Sequence, residues 1–178
     1  MRSVKPLVQT VGNGPLGHGP GTIKESGCLL TCLTMAVNSY RPDEQPFTLE
    51  AMNYKLDKLG LFDDKSRFNV AEAFRTFGIT IDRGPLIPMV VDRALENKQL
   101  VVIGVDYKEG QSSRVSKADH FILFFATDMQ GSYLAVNPGD GQIMRFDKVT
   151  ISRQVGRRIW RACEMIVLME PKPKGPLV

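Results

Sequence analysis

An α+β domain, with helices packed on one side of an antiparallel sheet, is predicted by three features of this 178-residue sequence. Apolar residues recur at helical spacing through the first half, β-branched and aromatic residues crowd into short runs after Asn97, and Gly-containing turns separate those runs at hairpin distance. The length suffices to bury a core without disulfide staples. With 43% hydrophobic and 24% charged residues, the chain is neither disordered nor fibrous. The expected organisation is one domain over residues 1–170 and a flexible, Pro-rich tail at 171–178.

Taken in order, Leu7 to Val11 reads as a short strand, and the glycines and prolines from Gly12 to Gly21 make a loop. Cys28 to Tyr40 is apolar nearly all round and reads as a buried helix ending at Arg41-Pro42. Thr48 caps a second helix whose stripe is Leu49, Met52, Leu56 and Leu59, with Gly60 as its stop. Shorter helices are expected from Val70 to Phe77 and from Met89 to Asn97, the latter after Pro88. Strands follow at 100–107, 120–128 and 133–137, then QIMRF after the Gly139-Asp140-Gly141 turn, and finally Ile159 to Met169.

Composition removes several function classes. The longest apolar runs, such as Phe121 to Ala126, fall far short of the ~20 residues that cross a bilayer, so no membrane insertion is expected. Met1 to Thr10 lacks the apolar stretch of a secretory signal, which places the chain in the cytoplasm on synthesis; export by another route and association with a virion stay open. The net charge of +4 is a mild excess. Arg145, Lys148, Arg153, Arg157, Arg158 and Arg161 carry no nucleic-acid motif and read as a solvated face, so no nucleic-acid partner is expected. Gly12-Asn13-Gly14-Pro15-Leu16-Gly17 spells GxGxxG, yet Pro15 and Pro20 stop a helix from starting where a pyrophosphate would need one. The three cysteines and two histidines lack zinc-ligand spacing, and no metal or cofactor is expected. All three cysteines are read as free thiols, with Cys32 and Cys163 in the core.

One constellation carries chemistry. Cys28 follows Gly27 at the start of the buried helix, where unpaired N–H groups and the helix dipole favour a thiolate. A catalytic imidazole must be His18 or His120; the first sits in the Gly-rich loop and the second heads a strand. Asn137 ends the next strand, and pairing of the two strands brings Asn137 beside His120. Cys28, His120 and Asn137 thereby supply a nucleophile, a base and a group that orients the base. Asp119, Asp128 and Asp140 are rival orienters; Asp119, adjacent to His120, should face the opposite way, and Asp140 remains the alternative.

These segments, TIKESGCLLTCLTMAVNSY, ADHFILFFATD and AVNPGDG, resemble the papain-like cysteine peptidases. They are most similar to the bacterial branch of bacteriocin-leader (double-glycine) peptidases, over roughly residues 20–140. The resemblance implies a papain-like fold and a thiol hydrolase that cleaves peptide or amide bonds of a peptide or protein substrate, cell-wall peptides among them, in a bacterial or phage setting. It also implies a Gln about six residues before the nucleophile, as an oxyanion donor; Thr22 occupies that place, and Ser26, Gly27 and Gln9 are the other candidates beside the Cys28 N–H. The family's Asp-Pro appears as Asn137-Pro138. The alternatives are an acyltransferase or transglutaminase-like enzyme using the same triad, and a non-catalytic papain-like binding or structural protein.

Overall fold

The structure, a computed structural model, describes residues 3–12, 14–106, 118–155 and 158–170. The tail at 171–178, Tyr107 of the expected second-half strand and Arg157 of the basic run lie outside these residues. The helices are α1 (Ile23–Ser26), α2 (Cys28–Tyr40), α3 (Leu49–Lys58), α4 (Val70–Thr76) and α5 (Pro88–Glu96). The strands are β1 (Thr80–Pro85), β2 (Leu100–Asp106), β3 (His120–Thr127), β4 (Tyr133–Val136), β5 (Ile143–Phe146), β6 (Ser152–Val155) and β7 (Arg158–Met169). All seven belong to one antiparallel sheet in the order β1-β7-β2-β3-β4-β5, with β6 also on β7. The α+β class therefore holds. Among the described residues no helix is long and apolar enough to cross a membrane.

Local chemistry explains the helices. Thr48 and Asn69 accept hydrogen bonds from Ala51 and Glu72 amides at the starts of α3 and α4, and Pro88 opens α5. Gly60 and Gly78, at φ of +65° and +73°, follow α3 and α4 in the left-handed region where glycine carries no steric penalty.

Three expectations are corrected. Helices cover both faces of the sheet, not one. Leu100 and Val102 of β2 face α2, α3 and α4, whereas Val101, Ile103 and Val105 join Val91, Ala94 and Leu95 of α5 in a second core. A strand apolar at every position needs cover on both sides, and the α5 stripe supplies the second. Leu7 to Val11 forms no strand; Gln9–Val11 is a 3-10 turn, because the Gln9 amide turns to the Pro138 carbonyl, 2.7 Å away, instead of joining a ladder. The strands are also not a simple meander. β1 precedes α5 in sequence, and β7 lies between it and β2.

The second core is lined by Phe124, Tyr133 and Phe146, whose rings lie 5.2–5.4 Å apart about Phe124. Each such burial contributes about 1.5–3 kcal/mol before ordering costs. Along β7 the pairing skips a residue: Gly104 meets Glu164 and Val105 meets Ala162, so Cys163 bulges. Cys163 is accordingly half-buried, not a core thiol, and its Sγ donates to the Gly104 carbonyl at 3.2 Å.

Candidate active site

The site forms where the N-terminus of α2 meets the start of β3. Gly27 precedes α2 without a side-chain cap, so the first peptide N–H groups of the helix turn toward Cys28. Only glycine fits there, since a Cβ on residue 27 would sit 2.3 Å from the Ile23 carbonyl oxygen. The Phe121 backbone N–H lies near enough to the Cys28 sulfur to favour its anion, which sets the thiol against the start of β3, the strand that His120 opens.

His120 Nε2 lies 2.8 Å from Asn137 Oδ1. The Gly139 amide, which can only donate, lies 3.0 Å from the same oxygen. That contact fixes the Asn137 side-chain amide with its oxygen toward His120, so Nε2 must carry the ring proton and Nδ1 is the accepting nitrogen. Asn137 is held in turn by a closed loop: its amide donates to the Gln142 carbonyl, and its own carbonyl accepts from Gly141 at 2.8 Å. Trp160 of β7 stands edge-on to the His120 ring, with centroids 5.7 Å apart.

Electrostatics departs from the expectation of a thiolate. Burial pushes the Cys28 thiol above its ordinary range, outweighing the N–H groups of Phe121, Leu29 and Cys28 itself. Burial also pushes the His120 imidazole below its usual value, against the Asn137 hydrogen bond and the Asp140 charge, which raise it. Desolvation disfavours both ions, the thiolate and the imidazolium alike. Cys163 is pushed up to about 11 by burial and by the carboxylates of Glu164, Asp106 and Asp119.

The rival residues separate clearly. Asp128 pairs with Arg145 at 3.1 Å, at the far end of β3. Asp140 accepts from the Gln142 amide and acts on His120 through its charge alone. His18 is exposed and bonds Asp57 at 2.8 Å. The Thr22 hydroxyl is occupied in capping α1: it accepts from the Glu25 amide and donates to the Glu25 carboxylate at 2.9 Å. Ser26 is exposed at the end of α1, near Gly21.

Gln9 is the candidate that geometry favours. Its side chain is buried, Nε2 donates to the Lys24 carbonyl at 2.9 Å, and its backbone amide holds Pro138. It thus touches both the segment before Cys28 and the turn that carries Asn137, while its Oε1 is buried without a partner among the described residues. The Gly-rich loop is pinned in place. Gly17 donates to Asn53 Oδ1, Asn53 Nδ2 donates to the Pro15 carbonyl, and Gly21 donates to Ser66 Oγ, all within 2.9–3.0 Å. Among the described residues no group of three or more His, Cys, Asp or Glu side chains is placed to hold a metal ion. An open groove of about 490 Å³, lined by Leu7, Val8, Val11 and Phe47 among others, holds none of the candidate residues.

Sequence reasoning missed Trp160 and Arg153. Trp160 reaches His120 through the pairing of β7 with β2 and of β2 with β3, and Arg153 is set opposite Trp160 by β6–β7 pairing, none of which a local pattern encodes. No protein-family model and no curated protein matches the chain.

Proposed function

We propose that the protein is a papain-like cysteine peptidase or amidase that cleaves peptide or amide bonds through an acyl-enzyme on Cys28. The observation that carries this reading is the Gly139–Asn137–His120 chain, which leaves Nδ1 as the accepting nitrogen of an imidazole next in sequence to Phe121, whose backbone faces Cys28. With substrate bound, Sγ–H passes its proton to Nδ1 as sulfur attacks the scissile carbonyl. The oxyanion is received by the Cys28 N–H at the helix N-terminus and by Gln9 Nε2. His120 then returns the proton to the leaving amine, and the thioester remains. Water, deprotonated by Nδ1, releases the acid and restores the thiol.

The test is incubation of the protein with a panel of peptides, with mass spectrometry read for cleavage products and for an acyl adduct on Cys28. Cleavage together with the adduct is the expected result. Adduct transfer to an added amine, with little free acid, would point to the acyltransferase. Neither product nor adduct would leave the binding-protein reading.

Two further results are expected. Gln9→Ala should lower kcat about 100- to 1,000-fold with KM little changed, as loss of one oxyanion donor does; an unchanged kcat would remove Gln9 from the site. The acid limb of kcat/KM should fall below the ordinary imidazole value. Nδ1 accepts a proton only when neutral, and burial of His120 extends the neutral form to lower pH. Asp140→Asn removes a charge that favours imidazolium, so the limb should move lower still; a limb that rises in this variant would contradict the assignment.

A further inference from the structure

The basic run that reads as a solvated face contains an arginine in a different position. Arg153 is half-buried on β6, directly opposite Trp160 of β7, whose ring meets His120 edge-on at 5.7 Å. Arg145 and Lys148, by contrast, pair with Asp128 and Asp92 at 3.1 and 2.9 Å. Among the described residues the Arg153 guanidinium makes one hydrogen bond, an exposed one from Nη1 to the Arg145 carbonyl at 3.2 Å, and its Nε is buried without a partner. Among the described residues no carboxylate lies within ion-pair distance of it. A buried guanidinium N–H is ordinarily matched by an acceptor, and the fork-shaped donors of an arginine fit a carboxylate with two parallel bonds.

We propose that Arg153 anchors a carboxylate of the bound substrate, which makes the preferred substrate a peptide with a negative charge close to the scissile bond. This rests on the peptidase reading for the reaction, though not for the anchor. Directly opposed side chains on paired strands have Cβ atoms about 5 Å apart, and an extended peptide advances about 3.3–3.6 Å per residue. With Trp160 between Arg153 and the imidazole, the carboxylate belongs two or three residues from the bond that is cut. A free C-terminal carboxylate and the side chain of Glu or Asp both satisfy this chemistry.

The experiment measures binding of fluorescent peptides to Cys28→Ala, so that turnover is not needed, and hydrolysis by the wild type in parallel. Each peptide is presented as the C-terminal acid and the C-terminal amide, and with Glu or Gln two or three residues from the candidate bond. One of the two carboxylate sources should tighten binding about ten-fold or more over its neutral counterpart, the size expected for hydrogen bonds to a charged group. Arg153→Gln in the Cys28→Ala background should erase that preference while neutral peptides bind as before, which also reports an intact fold. Arg153→Lys should retain part of the preference. Equal binding of charged and neutral peptides, no binding of either, or a preference that survives Arg153→Gln overturns the anchor. An Arg153-dependent preference without hydrolysis by the wild type would overturn the peptidase reading and leave the anchor standing.

Discussion

Cys28→Ala should abolish peptide hydrolysis, lowering kcat/KM by at least about 1,000-fold, while the fold stays intact. The position tolerates the change because Cys28 opens α2 at a half-buried site and alanine is the strongest helix former. The other cysteines provide the contrast. Cys32 is fully buried in the core between α2 and the sheet, so Cys32→Ala should lower the melting temperature and spare kcat. Cys163 sits in the β7 bulge with its thiol on the Gly104 carbonyl, and Cys163→Ala should leave hydrolysis within a few-fold of wild type. Circular dichroism and thermal melting check the folds, and steady-state kinetics check the rates. A Cys28→Ala protein that kept a tenth of the wild-type rate would remove the nucleophile from the proposed chemistry.

The second large effect belongs to the imidazole and its orienting amide. His120→Ala should cost about 100- to 10,000-fold in kcat, the range of a positioned general acid–base, and the Cys28/His120 double variant should be no worse than Cys28→Ala alone. Asn137→Ala should cost less, because the ring remains and only its tautomer and orientation are released. Asn137→Asp has a distinct signature. A carboxylate against Nε2 favours imidazolium, so the acid limb of the pH profile should move upward in this variant, opposite to the shift expected for Asp140→Asn. If Asn137→Asp leaves the limb unmoved, Asn137 is not the group that governs His120.

Local chemistry made much of this arrangement legible. The bounds of α2 follow from an all-round apolar run that stops at Arg41-Pro42, and the His120–Asn137 contact follows from two strands joined by a short turn. The α+β class needed only the change of periodicity after Asn97. What stayed hidden is non-local. β1 is an edge strand of mixed polarity, TIDRGP, which among the described residues pairs with β7 alone, from Thr80 opposite Met169 to Pro85 opposite Glu164. The cover of α5 over the second face could have been read from the unbroken apolar run of β2, since alternation is what a one-sided sheet requires. The balance of charge at Cys28 was also out of reach. A helix N-terminus is visible in sequence and favours thiolate, whereas the burial that outweighs it depends on how closely β3 approaches α2. Thr22 shows the same limit: the papain-like resemblance puts an oxyanion donor at its offset, yet Glu25 three residues on makes it a capping residue.

The most direct measurement is site-resolved labelling by a peptidyl chloromethyl ketone, followed by mass spectrometry across acid to neutral pH in wild type and His120→Ala. The proposed chemistry requires Cys28 alone to be modified, with a rate that rises through a pKa below the ordinary imidazole value and collapses without His120. Labelling of Cys28 no faster than Cys163, or equally fast in both proteins, would contradict the assignment of Cys28 and His120 as nucleophile and base.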